Sequence, residues 1–124
     1  MQYWSQEQIL FWFTQICLGV KHVHDKRIIH RDLKPENIFI SHEEILRIGD
    51  FGISRMLNTT QSRAQSLLGT PFYLSPEMVA NAPYDFKHDM WSLGITLYEM
   101  CTFQTPFQDQ TIQKVVSKIM NNQI

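Results

Sequence analysis

Two polar motifs with a short apolar pattern between them constrain the fold of this chain most. The first motif reads His-Arg-Asp-Leu-Lys-Pro-Glu-Asn over residues 30–37, and the second reads Asp-Phe-Gly over residues 50–52. The candidate residues for chemistry are concentrated in these two motifs.

The pattern between the motifs predicts a β-hairpin. Two short apolar runs, 37–40 and 45–48, flank a polar stretch, which is typical of two short paired strands. Ser41 and Glu44 in the polar stretch also match a helix capping box. The run after them is too short and too β-branched for a helix, so we expect strands there.

Three other segments have helical patterns. Ser5 followed by Gln8 has the form of a capping box. It precedes apolar residues at helical spacing, namely Ile9, Leu10, Phe13, Ile16, Cys17 and Val20. The segment from Met90 to Cys101 is apolar nearly all round, which predicts a helix buried on most sides. A last amphipathic helix follows Asp109, and residues 121–124 contain no clear stop signal.

The segment from Ile53 to Ala82 has no sustained period and is rich in Ser, Thr, Asn and Gln. This composition predicts a long loop, and long loops in compact domains are usually functional.

Composition predicts one globular intracellular domain. Hydrophobic residues make up 44% of the 124 residues and charged residues 19%, and the net charge is -1. This balance argues against disorder, and it predicts no nucleic-acid partner and no membrane partner. The cysteines, Cys17 and Cys101, lack metal or disulfide spacing, so we expect two buried thiols in a reduced compartment. The oligomeric state cannot be predicted from these features.

The two motifs resemble the catalytic loop and the metal-binding motif of eukaryotic protein kinases. Residues 69–77, Gly-Thr-Pro-Phe-Tyr-Leu-Ser-Pro-Glu, resemble the substrate-docking segment of that family, with Ser75 in place of its alanine. Residues 89–94 resemble the start of the buried helix that follows. The resemblance covers residues 1–124 as a partial kinase domain. It implies a mainly α (α+β) fold, the large lobe with a small β-hairpin.

The resemblance implies a serine/threonine kinase that uses ATP and Mg²⁺ on a protein substrate. Phosphoryl transfer needs positioning and charge stabilisation more than covalent chemistry. Asp32 is the expected catalytic base, and Lys34 is expected to place a charge on the transferred phosphate. Asn37 and Asp50 supply the hard oxygen ligands that Mg²⁺ prefers. Taken alone, an Asp-Phe-Gly sequence could be a tight turn and an Asp-x-Lys sequence a solvated ion pair.

Further roles follow from the same resemblance. Thr70 would bridge to the catalytic residues, and Glu36 and Phe39 would lie at the nucleotide. His30, Phe51 and Gly52 would be structural, with His30 a core histidine rather than a metal ligand beside His22 and His24. Asp89 would accept hydrogen bonds from backbone amides of the catalytic loop. The alternative role for Asp89 is that of an N-cap at the surface end of a helix. Glu77 would be unpaired, because its usual arginine partner lies further downstream in the family.

Arg31 resembles the arginine of kinases that are regulated by phosphorylation of the activation loop. An arginine fork binds phosphate in a bidentate manner. Ser66 lies four residues before Thr70, where the family commonly carries its activating phosphosite. We therefore expect phospho-Ser66 to pair with Arg31, with Thr59, Thr60 and Ser62 as competing sites.

Smaller features resemble the NIMA-related kinases. They are Phe39 at the floor of the adenine pocket, Gly49 before Asp50, and the run Gly-Ile-Ser-Arg-Met-Leu-Asn over residues 52–58. This resemblance implies an intracellular, cytoplasmic protein, with cytoskeletal or ciliary association as a further expectation.

No glycine-rich loop and no Val-Ala-x-Lys strand occur in the sequence, so the ATP-clamping small lobe is absent from it. We expect this chain alone to have little activity, because the triphosphate would lose its main orienting cation. The alternatives are a truncated non-catalytic pseudoenzyme acting as a binding module and a small-molecule kinase of the same fold. Residues 69–77 argue against the latter.

Overall fold

Over residues 3–51, 71–83 and 85–124, which the computed structural model describes, the protein is built from four α-helices and one β-hairpin. The helices are α1 (Gln6–Asp25), α2 (Pro76–Val79), α3 (Phe86–Thr102) and α4 (Ile112–Asn121), and the strands are β1 (Ile38–Ile40) and β2 (Leu46–Ile48). Short 3₁₀ turns cover Pro35–Asn37 and Pro71–Tyr73. The expectation of a mainly helical fold with a small β-hairpin is confirmed.

Helix α1 begins where the capping pattern predicts. The Ser5 hydroxyl accepts the backbone N–H of Gln8 at 3.2 Å, which satisfies one of the free donors of the first turn. The Gln8 side chain donates to Glu44 instead of returning to Ser5, so only half of the capping box forms. The buried face of α1 joins a core with the loop before β1 and with α3, formed by Ile16, Val20, Leu33, Leu93 and Met100.

The hairpin is antiparallel, and its cross-strand pairs are Ile38 with Ile48, Phe39 with Arg47, and Ile40 with Leu46. In the turn, the Ser41 hydroxyl accepts the N–H groups of Glu43 and Ile45. These bonds close a tight loop rather than a helix, so the rejection of the second capping box is confirmed. Gln15 of α1 accepts from the N–H of Leu46 at 3.0 Å and donates to the carbonyl of Glu44 at 3.1 Å, which docks the hairpin on α1.

Helix α3 is longer than its sequence pattern predicts. It begins after Asp85, whose carboxylate accepts the N–H of Lys87 at 2.8 Å. Within 90–101 the exposed residues, Met90, Gly94 and Cys101, lie along one side of the helix, and the others are buried or half-buried. The expectation of burial on most sides is therefore confirmed, whereas the expectation of two buried thiols was wrong. Cys17 is half-buried, and this burial raises the pKa of its thiol.

The predicted loop from Ile53 to Ala82 contains regular structure in its last part, namely the 3₁₀ turn Pro71–Tyr73 and helix α2. Each has only three or four residues, too few to show a hydrophobic period. Pro71 and Pro76 open them, because proline fixes a φ angle that suits a first helical turn.

Helix α4 has a clear end, which corrects the expectation of no stop signal. Asn122 adopts a left-handed conformation with φ 51°, and the N–H of Gln123 reaches back to the carbonyl of Lys118 at 2.9 Å. Asparagine tolerates this conformation and is a common helix terminator. The buried side of α4 completes a second core, formed by Tyr73, Ile95, Phe107, Val115 and Ile119. None of the helices in the described ranges has the length and apolar character that crossing a membrane requires.

Candidate active site

Asp89, in the first turn of α3, holds the first polar motif through its carboxylate. The N–H of His30 donates to one carboxylate oxygen at 2.9 Å, and the N–H of Arg31 donates to the other at 3.0 Å. The ring of His24 on α1 donates to the same carboxylate at 2.7 Å. A carboxylate only accepts, so Nε2 of His24 carries the proton in this contact. Asp89 is completely buried. These three hydrogen-bond donors offset the cost of removing its carboxylate from water.

Arg31 has a strained backbone, with φ at 76°. A side chain disfavours this left-handed region, so the conformation persists only where neighbouring groups hold it. Two groups from α3 do so. Asp89 accepts the N–H of Arg31, and the ring of His88 lies 3.2 Å from the Arg31 carbonyl. Helix α3 thus fixes the peptide units on both sides of Arg31, immediately before Asp32.

His30 is buried and joins the two motifs. Its Nε2 lies 2.7 Å from the carbonyl of Gly49, and its Nδ1 accepts the N–H of Asp32 at 3.1 Å. Because a carbonyl can only accept, this arrangement requires a neutral ring with the proton on Nε2. The ring of Phe51 meets that of His30 edge-on at 4.6 Å between centroids. His30 therefore sets Asp32 relative to the end of the hairpin.

The carboxylate of Asp32 is oriented but accessible. The side-chain amide of Asn37 donates to the Asp32 carbonyl at 2.7 Å and to its carboxylate at 3.1 Å. The Lys34 ammonium lies 3.6 Å from the other carboxylate oxygen of Asp32. The Lys34 side chain is 22% exposed and the Asp32 side chain is 31% exposed. An ionised, oriented and solvent-reachable carboxylate can accept a proton from a hydroxyl group.

Asn37 and Asp50 have the donor chemistry that Mg²⁺ requires. Both hydrogen bonds of the buried Asn37 side chain are donated by its amide nitrogen, because the Asp32 oxygens can only accept. The amide oxygen is therefore the atom of Asn37 that can bind a metal ion. Asp50 is exposed, with its backbone in the left-handed region at φ 58°. Hard oxygen atoms of this kind suit Mg²⁺, so the residues fit the expected ion. No cluster of three His, Cys, Asp or Glu side chains suited to a metal ion occurs within the described ranges.

Two residues expected at the nucleotide lie on the surface. Glu36 is exposed on the 3₁₀ turn before β1. Phe39 on β1 is 57% exposed, and its ring packs against Gly49. Both side chains are therefore available to a ligand that approaches this side of the hairpin.

Residues 71–77, which we call the docking segment, are fastened to α3. The Tyr73 hydroxyl donates to the carboxylate of Glu99, and the hydroxyl of Ser92 donates to the Tyr73 carbonyl at 3.3 Å. Burial is the largest cause of a raised pKa for Tyr73, and the hydrogen bond to Glu99 raises this pKa further. Ser75 is fully buried beside His88. The Glu77 side chain has no hydrogen bond or ion pair with any residue of the described ranges, whereas its backbone carbonyl accepts the N–H of Ala82 at 2.9 Å.

The structure thus brings His30, Asp32, Lys34, Asn37 and Asp89 into one bonded network. Gly52, Ser66 and Thr70 lie outside the described residues. His88 was not predicted from the sequence, and Ser75 was noted only as a replacement for alanine. No local pattern pointed to this pair, because His88 precedes the segment 90–101 that was expected to be buried and Ser75 lies in the segment that was expected to be a loop.

Comparisons with known proteins agree with the motifs. A family model described as "Protein kinase domain" matches residues 1–124. The chain is 52% identical over 116 residues to human serine/threonine-protein kinase Nek5 and 49% identical over 117 residues to mouse Nek1. It is 44% identical over 119 residues to mouse Nek3. These matches cover 93%, 94% and 96% of this chain but only 16%, 10% and 23% of the respective relatives.

Proposed function

Because the chain belongs to the protein kinase family and resembles the NIMA-related members, we propose that it transfers the γ-phosphate of ATP to Ser or Thr hydroxyls of proteins. The observation that carries this proposal is the Asp32 carboxylate, which Asn37 orients while Lys34 lies 3.6 Å away. Nothing in the site favours the alternative of a non-catalytic binding module.

The proposed mechanism assigns proton transfer to Asp32. Its oxygens orient the acceptor hydroxyl and would accept its proton as the new phosphate ester forms, while the bond from the γ-phosphorus to the bridging oxygen breaks and ADP leaves. Lys34 places a positive charge beside the same point, which suits the negative charge on the transferred group. Because His30, Asn37 and Asp89 hold the loop, the carboxylate needs little rearrangement before reaction.

The proposed cofactors are ATP and Mg²⁺, held in part by Asn37 and Asp50. ATP supplies the phosphoryl group, and Mg²⁺ supplies charge neutralisation at the phosphates. Phe39 would contact the adenine base, and Glu36 would lie beside the nucleotide, as the family resemblance implies. Because ATP is an intracellular compound, the proposed activity belongs inside the cell.

A protein substrate is proposed from the docking segment. Residues 71–77 form an ordered strip bonded to α3 through Tyr73 and Ser75, and a fixed strip can position an extended peptide beside Asp32. The family resemblance adds Thr70, which would bridge to Asp32 and Lys34 and select Ser or Thr as acceptor.

Regulation by phosphorylation of Ser66 is proposed from Arg31. The peptide units on both sides of Arg31 are bonded to α3, so a phosphate bound by its guanidinium would act directly on the residue before Asp32. Phosphopeptide mapping of the active protein tests this idea, and a Ser66 that is never phosphorylated in active protein would refute it.

The proposed activity is tested with the full-length gene product, [γ-³²P]ATP and a general protein substrate. We expect Mg²⁺-dependent labelling and, after acid hydrolysis, radioactive phosphoserine or phosphothreonine. Labelling of tyrosine alone would contradict the assigned acceptor. Specific binding of protein partners without any phosphate transfer would favour the binding-module alternative.

A further inference from the structure

The strongest unassigned feature is a buried histidine between the docking segment and the catalytic loop, residues 30–37. His88 lies in the first turn of α3 and is 1% exposed. Its Nδ1 lies 2.9 Å from the hydroxyl oxygen of Ser75, and its Nε2 lies 3.2 Å from the carbonyl oxygen of Arg31. One ring therefore contacts two segments that are 44 residues apart, from position 31 to position 75.

The chemistry of the two partners fixes the direction of both bonds in the neutral ring. The Arg31 carbonyl can only accept, so Nε2 carries the proton and donates it. Nδ1 then has a free lone pair, and the Ser75 hydroxyl donates to it. Burial lowers the pKa of His88 and so favours this neutral form. An alanine at position 75 would have no donor for Nδ1, so Ser75 and His88 are complementary.

Both contacts lie next to working parts of the site. The Arg31 carbonyl belongs to the peptide group that leads into Asp32, and its position affects the direction of the Asp32 carboxylate. Ser75 directly follows Tyr73 and Leu74 in the docking segment, and all three residues are buried, with Tyr73 and Ser75 hydrogen-bonded to α3. A displacement of either segment would strain the bonds of the same imidazole ring.

We propose that His88 is a positioning residue that couples the docking segment to the catalytic loop, so that the substrate-binding strip and Asp32 keep a fixed relative position. This inference rests on the proposed kinase function. His88 would not touch substrate or nucleotide, and it would act through Arg31 on one side and Ser75 on the other.

Two substitutions of His88 separate its two contacts. In His88→Asn the shorter amide reaches the Nδ1 position and keeps the Ser75 contact but loses the Arg31 carbonyl. In His88→Gln the longer amide reaches the Nε2 position and keeps the Arg31 contact but loses the Ser75 hydroxyl. Both variants remain uncharged and polar, so the general burial of the site changes little.

The two variants are compared in the full-length gene product by steady-state kinetics with a peptide substrate. We expect His88→Asn to lower kcat about tenfold with little change in peptide KM, because Asp32 loses its support. We expect His88→Gln to raise peptide KM about fivefold with little change in kcat, because the docking segment loses its support.

The matched control is Thr96→Val on the same helix. The Thr96 hydroxyl is buried and donates to the carbonyl of Ser92 at 2.9 Å, and it forms no hydrogen bond with the described residues of either segment. This variant should lower the melting temperature while leaving kcat and KM unchanged. If both His88 variants behave in the same way as this control, or lower kcat by equal factors with KM unchanged, His88 is only structural and the coupling is refuted.

A second measurement separates this inference from the proposed activity. If the wild-type protein transfers no phosphate, the proposed function fails, and hydrogen–deuterium exchange then tests the coupling. His88→Asn should speed exchange mainly in residues 30–37, and His88→Gln mainly in residues 71–77. Equal exchange changes in both segments for both variants would overturn the coupling.

Discussion

The ring of Phe39 lies so close to Gly49 that no side chain fits between them. A Cβ atom added at position 49 would stand 2.6 Å from Cε2 of Phe39 and 3.1 Å from Cδ2. These two residues flank the hairpin end that leads into Asp50. The aromatic ring on β1 therefore depends on the absence of a side chain at position 49.

The first prediction follows from this contact. Gly49→Ala should force the exposed Phe39 ring to move and lower the free energy of unfolding by about 0.5–1.5 kcal/mol, the cost of holding a side chain away from its preferred rotamer. The ring movement should also weaken nucleotide binding. Thermal melting and ATP titration measure the two effects.

Two further variants make this prediction specific. Phe39→Leu in the Gly49→Ala background should restore much of the lost stability, because leucine has no ring at the clash. Gly94→Ala is the matched control, since a Cβ there has nothing within 4 Å and alanine favours helix α3 by about 0.5–1 kcal/mol. Equal stability changes at positions 49 and 94 would contradict the account.

The second prediction concerns Asp89. In Asp89→Asn the amide nitrogen would face one of the two backbone N–H groups that the carboxylate now accepts, and that donor would lose its partner. We expect a loss of about 1–3 kcal/mol in the free energy of unfolding, together with a fall in kcat as the catalytic loop loosens.

Asp85→Asn is the control for the second prediction. Asp85 caps the same helix through the N–H of Lys87, and asparagine caps a helix about as well as aspartate does. Chemical denaturation should show little change for this control. An Asp89→Asn protein as stable and as active as Asp85→Asn would show that the carboxylate does not hold the loop.

The third prediction is a pH dependence that arises from His88. Burial lowers the folded-state pKa of this ring, so the unfolded state binds more protons as the pH falls. The stability that the neutral ring contributes is present above about pH 6.5, the ordinary histidine pKa, and is lost as the pH falls through the lower folded value.

His88→Gln removes this titration and provides the comparison. We expect the free energy of unfolding to fall less between neutral and mildly acid pH in His88→Gln than in the wild type, measured by denaturant titration. Subtracting the two curves removes the contributions of other titrating groups. Identical pH dependence in the two proteins would contradict a depressed His88 pKa.

Local signals in the sequence predicted a large part of the fold. Ser5 and the helical spacing after it placed the start of α1, and the two apolar runs placed the hairpin. These elements depend on neighbours in the sequence, so a pattern of residues reveals them. The short helical turns at 71–79 were missed because three or four residues carry no periodicity. The end of α4 was missed because the signal of Asn122 is a single residue.

The candidate site was predicted through its motifs, but the contacts that support it were only partly foreseen. Asp89 was expected to bond backbone amides of the loop, whereas the bond from His24 and the two contacts of His88 were not expected. These bonds join residues that are far apart in the chain, and their partners include backbone carbonyls that every residue carries. No local pattern encodes such pairing, so it required the folded structure.

The central claim is that Asp32 acts as the base of a phosphoryl transfer. Its most direct test is the initial rate of peptide phosphorylation by the Asp32→Asn variant of the full-length gene product. Asp25→Asn serves as control, because Asp25 is an exposed residue paired with Lys21 on α1. We expect kcat to fall by at least about 10²-fold in Asp32→Asn, the usual contribution of a general base, and to stay unchanged in Asp25→Asn. A wild-type kcat in Asp32→Asn would contradict the account.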